Sequence, residues 1–182
     1  MKIEDDKLEV EDYELNQTNV KKILYMYKFN INEDVHILDL DEVEELFEGR
    51  IFDEFKTKSI VILPRLMNKK SWNLLVYYVN EEWLIYFDIS SKLSPTSSNA
   101  LIKVIKNQTN KKIKRIKVFP LDKKLKKVRN SEVCFLFLLK IFISQMQKIN
   151  FRYSKEMLED ICNFNFKEAC ELINQDARIY LQ

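Results

Sequence analysis

The run from Cys134 to Ile143 is apolar at every position except Lys140. A helix that is apolar all round offers no face to water, so it must be covered on every side. The run is about half the length needed to cross a bilayer and carries a lysine, which argues against a membrane span. It therefore predicts a buried central helix from Cys134 to about Lys148, with Asn130 or Ser131 as its cap. The rest of the chain has to supply its cover, and 182 residues at 46% apolar content are enough for one domain with a real core.

The covering elements can be read from periodicity. Val20, Ile23, Leu24 and Tyr27 share one face of a helix over 16–29, which Asn16 or Thr18 can cap. Val43, Leu46 and Phe47 mark a second helix over 39–48, and Gly49 suits a left-handed residue at its end. A short apolar run over 59–63 stops at Pro64 and predicts a buried strand. The β-branched and aromatic segments 72–79 and 83–87 flank Asn80, Glu81 and Glu82, which predicts an antiparallel hairpin with a solvated turn. A helix over 97–106 and an edge strand over 113–119 follow, then the apolar helix and two closing helices over 154–162 and 166–181. The order implies α+β architecture, a mixed sheet packed against a buried central helix in a single domain, 1–182. A core over about 16–148 would carry a helical extension over 150–182.

Composition removes whole classes of chemistry. With one glycine, no phosphate loop, dinucleotide fingerprint or nucleophile elbow can be written. One histidine, His36, and three scattered cysteines leave no zinc set, and we expect neither metal nor cofactor. His36 itself falls between the first two helices, where a loop position is expected. The acidic start and the odd cysteine count lead us to expect a reducing, cytoplasmic setting, with the nucleus as an alternative, and no membrane contact.

Charge is segregated. Residues 1–60 hold 17 acidic and 8 basic side chains, whereas 103–129 hold one acidic and twelve basic ones. The basic tract includes Lys111, Lys112, Lys114, Arg115, Lys117, Lys123, Lys124, Lys126 and Lys127. It reads either as a solvated face balanced by the acidic third, or as a footprint for RNA, the ribosome or another polyanion. Lysines on an edge strand also oppose aggregation.

One constellation of segments resembles a known family. A strand ending at Leu63-Pro64 is followed by the segment Ser71-Trp72-Asn73-Leu74-Leu75-Val76, then by Tyr86-Phe87-Asp88, then by Val128-Arg129-Asn130-Ser131-Glu132-Val133-Cys134-Phe135. This is similar to the ubiquitin-like-protein proteases, the SUMO proteases and deneddylases among them, whose pattern is H-W-[ST]-L-L-V, then Y-x-D-S, then Q-x-N-[GS]-x-D-C-G. The deneddylase branch is the nearest in pattern, and the likeness covers roughly 55–148. The resemblance implies a papain-like fold. It places the family's nucleophile on Cys134 and its orienting aspartate on Asp88. The general-base histidine falls on Ser71 and the oxyanion glutamine on Val128. The aspartate and glycine beside the nucleophile become Val133 and Phe135.

Serine cannot act as a base near neutral pH, and loss of one oxyanion donor costs on the order of a hundredfold in rate. Cys134 keeps only a helix N-terminus as activator, which favours thiolate modestly. The expectation is therefore a catalytically degenerate protein that docks on a macromolecule, a ubiquitin-like protein or a ribonucleoprotein such as the ribosome. Trp72, Asn130 and Phe135 are the candidate contacts around the old cleft. Two alternatives stand beside it: a ribosome- or RNA-associated factor anchored by 103–129, and an active protease with a non-standard base. If the resemblance holds, Ser71, Asp88, Val128 and Cys134 should converge, with Cys134 facing Ser71 and Asp88 behind it.

Overall fold

The structure is a computed structural model and describes residues 15–67, 71–89, 95–120, 131–146 and 166–181. Five strands form one mixed sheet in the order β1-β2-β3-β4-β5. They are β1 (Val35–Ile37), β2 (Ile60–Met67), β3 (Ser71–Tyr78), β4 (Trp83–Asp88) and β5 (Arg115–Pro120). The two outer pairs are parallel, and β2-β3-β4 run antiparallel as a meander. The six helices among the described residues are α1 (Gln17–Phe29), α2 (Leu40–Phe47), α3 (Glu54–Thr57), α4 (Pro95–Thr109), α5 (Ser131–Met146) and α6 (Phe166–Tyr180). None of them is long and apolar enough to cross a membrane.

Strand alternation divides the interior into two cores. Trp72, Leu74 and Val76 of β3 and Ile85 and Phe87 of β4 join α1, α5 and α6 on one face. Leu75 and Tyr77 of β3 and Leu84 and Tyr86 of β4 join α2, α3 and α4 on the other. This is the period-two consequence of a sheet covered on both sides. As expected, α5 is the buried centre: Phe135, Leu138 and Phe142 are all inaccessible, and Phe142 meets Phe87 edge to face at 5.2 Å.

Its one polar interruption finds a partner. Lys140 reaches both carboxylate oxygens of Asp176 on α6 at 2.7 Å, and Asp176 also accepts the hydroxyl hydrogen of Tyr27 on α1. Three helices are thus tied at one buried carboxylate. Burial first, and then Asp176, push the Tyr27 phenol above its ordinary pKa, so the hydroxyl stays a donor.

Several expectations need correction. The strand expected to stop at Pro64 continues to Met67, with Pro64 in register with Leu74. Pairing with β1 ends at Ile62, so beyond it β2 is bonded on one side only among the described strands, which is where proline is tolerated. His36 lies in a strand, β1, rather than a loop, in register with Val61. The turn after β3 is not simply solvated. Glu82 is a left-handed residue (φ 57°), and its half-buried carboxylate receives Lys114 at 3.0 Å and Lys111 at 3.8 Å. Helix α5 begins at Ser131, directly after Asn130, one of the two expected caps, so Cys134 is not its first residue. The expected helix over 154–162, with Cys162, lies outside the described residues.

Gly49 takes φ +103° after α2. The amide of Gly49 bonds the Leu46 carbonyl and that of Arg50 bonds the Glu45 carbonyl, the paired bonds of a Schellman cap. A Cβ there would meet nothing within 4 Å, so its only cost is conformational. Gly49→Ala should lower unfolding free energy by about 1 kcal/mol in urea titration, the cost of a left-handed alanine.

Candidate functional site

The start of β3 and the start of α5 meet through two aromatic rings. Trp72 and Phe135 stack with centroids 4.7 Å apart at 28°. Their chain neighbours are Ser71 and Cys134, so the first residues of the strand and of the helix are close. Both rings are essentially inaccessible, Trp72 at 1% and Phe135 at 0%. Both rings are packed as core, Phe135 as expected of the buried helix. Phenylalanine in place of the small residue expected beside the cysteine fills the space under Trp72.

Cys134 is the fourth residue of α5, one turn inside the helix, and is fully buried. Burial pushes its thiol up to about 12, with Cys170 and Glu132 adding to the effect. The activation expected from a helix N-terminus is therefore outweighed by desolvation. At neutral pH the thiolate fraction is on the order of one part in ten thousand or less.

Asp88 closes β4 and is buried. It lies on the Tyr86 side of the strand. Burial first, then Asp88, hold the Tyr86 phenol up at about 12. Beside it, buried Asn73 accepts the Ile89 amide at 2.9 Å and so fixes the chain where it leaves β4. The charges acting on the Cys134 thiol are Glu132 and Cys170, not Asp88. Ser71 opens β3 opposite Met67. Val128 and Asn130 lie outside the described residues.

The sole histidine of the chain is elsewhere. His36 sits with its Nε2 4.0 Å from Glu42 of α2. Burial draws its pKa below the ordinary value, against the pull of Glu54 and Glu42. Its neighbours in β1, Val35 and Ile37, point into the core that contains Cys134, so His36 points to the opposite face of the sheet. A groove of about 760 Å³ lies between α1, α2 and the end of β2, where the Arg65 guanidinium covers Phe47 at 5.3 Å. Its lining includes none of the candidate site residues named from sequence.

The described part of the basic tract is partly committed within the chain. Lys111 and Lys114 pair with Glu82, and Arg115 lies over the Trp83 ring at 5.1 Å. Lys112 is exposed, and Lys117 lies within β5. Lys123, Lys124, Lys126 and Lys127 fall outside the described residues.

No family model and no curated protein matches the chain. Solved structures do. The Ulp1 protease domain in complex with SMT3, the yeast ortholog of SUMO, matches with TM-score 0.51 and 14% identity over 90% of this chain and 77% of that one. The SUMO protease Ulp1 with its catalytic cysteine oxidised to a sulfenic acid matches with TM-score 0.52 and 12% identity, over 90% and 78%. The central domain of Lpg1148 from Legionella pneumophila matches with TM-score 0.56 and 8% identity, over 91% and 98%. The chain has the Ulp1-type protease fold. Sequence reading singled out Cys134 and Asp88 by resemblance. It missed Asn73, Glu82 and Asp176, polar residues whose importance comes from the partners that tertiary packing gives them.

Proposed function

We propose that this chain is a non-catalytic binding protein on a ubiquitin-like-protein protease scaffold, docking on a protein partner. The observation that carries the reading is the separation of its only imidazole from its helix-start thiol. His36 and Cys134 lie on opposite faces of one sheet. A cysteine protease needs a base within hydrogen-bond reach to make thiolate and to protonate the leaving amine. A thiol that burial holds up at about 12 carries little of the negative charge that attack needs. Site and fold are separable, so a scaffold can keep recognition after chemistry is lost. The class of partner is suggested by the neighbouring Ulp1 structure, which holds SMT3.

The test combines two arms. SUMO and ubiquitin carrying a C-terminal propargylamide should leave Cys134 unmodified, while affinity capture from native cells should recover a stoichiometric protein partner. Rapid adduct formation at Cys134 would overturn the reading in favour of an active protease. A simpler measurement bears on the same thiol. In folded protein Cys134 should alkylate with iodoacetamide about a hundredfold more slowly than in urea. Its rate should also keep rising with pH beyond 9, where an ordinary thiol levels off, because the raised pKa postpones ionisation.

A further inference from the structure

We infer that the outer edge of β5 is a docking strand for an extended acidic segment of a partner protein, one that alternates carboxylates with β-branched residues. The inference rests on the binding-protein reading above and adds to it a surface and a chemistry. β5 ends the sheet, and no described strand lies beyond it. Unlike the three-residue β1 at the other end, it has six residues, enough to seat a short peptide. Such an edge accepts a further strand through main-chain hydrogen bonds, while side-chain alternation sets specificity.

The alternation is on the surface. Ile116 is 42% exposed and Val118 41%, and both lie on the face defined by their register partners Leu84 and Tyr86. Arg115 and Lys117 occupy the other face, opposite Trp83 and Ile85. Five of the seven residues 111–117 are cationic. A segment laid along this edge would set apolar residues beside Ile116 and Val118 and a carboxylate beside Arg115. The same charges repel a second copy of the edge, so the lysines that oppose self-pairing select an acidic strand.

The edge is also held in place. The Lys114 amide bonds the Glu82 carbonyl at 2.9 Å, the Lys114 ammonium pairs with the Glu82 carboxylate, and Arg115 rests on Trp83. A strand fixed before binding loses less freedom when it binds. These features favour a peptide over RNA. Apolar side chains interleave with the cations, two lysines are engaged by Glu82, and the neighbouring indole is covered by Arg115 rather than open to a base.

The experiment is fluorescence anisotropy on the full chain. The probes are a labelled nonapeptide alternating glutamate with valine and isoleucine, its lysine-substituted counterpart, and a nine-nucleotide uridine RNA. The acidic peptide should bind, and Val118→Glu should weaken it at least tenfold. The β5 amides that face away from β4, every second residue of the strand, should exchange at least tenfold more slowly with peptide bound. If Val118→Glu fails to fold by circular dichroism, Arg115→Glu on the other face should give the same loss. Tighter binding of the RNA, equal binding of the lysine peptide, unchanged exchange in β5, or no binding of the acidic peptide would each overturn the inference. Such a failure would leave the propargylamide and capture results standing. An adduct at Cys134 would remove the binding-protein reading without altering the anisotropy.

Discussion

Trp72→Ala is expected to cost about 4 kcal/mol of unfolding free energy, the range for truncating a large buried aromatic. The indole is 1% exposed and stacked on Phe135, so its removal leaves a cavity between β3 and the first turn of α5. Rotation of Phe135 could fill only part of it. Urea titration followed by circular dichroism measures the loss. A tryptophan that merely lined an open groove would lose well under 1 kcal/mol, so the size of the effect decides between core and surface. Phe135→Ala should be similarly costly. The double variant should lose less than the sum, because the two rings share one contact.

Asp176→Ala is expected to destabilise by about 3 kcal/mol, the low end for breaking a buried charged pair. The carboxylate is 8% exposed while the Lys140 partner remains about one-third exposed, which lets the ammonium recover some hydration. Its loss also strands the Tyr27 hydroxyl in the core. Tyr27→Phe should cost only about 1 kcal/mol, since it removes the donor together with its need for a partner. Equilibrium unfolding of the two variants checks the ranking. A raised Tyr27 pKa gives stability that is fully present below about pH 10 and declines as pH rises above the unfolded phenol's value.

What the sequence discloses depends on how local the cause is. The centre was legible because Cys134 to Ile143 has one solution, burial on all sides. The β3-β4 hairpin was legible because alternation and a polar turn agree. β1 was not. Three residues become a strand only because β2 runs beside them, and the Ser59 amide bonding the Asp34 carbonyl cannot be seen in composition. The single turn of α3 escaped for the same reason. At the candidate site, Cys134 and Asp88 were proposed by resemblance to a family pattern, but their surroundings were not legible. A cysteine at the start of an apolar run looks activated until the helix is seen to begin at Ser131 and the thiol to be sealed beneath its neighbours. Glu82 looked like half of a solvated acidic pair, and its role depends on two lysines about thirty residues away.

The two-faced sheet makes the distance between imidazole and thiol a matter of parity. A residue at a strand end, such as Ser71 at the start of β3, can still lie near a helix on the other face, but His36 is the middle residue of β1, two strands away from β3. His36 would turn towards α5 only if β1 slipped by one residue against β2, and the same slip would turn Val35 and Ile37 out of the core they now fill. An imidazole on the α5 side of this sheet would therefore have to come from a second histidine rather than from His36.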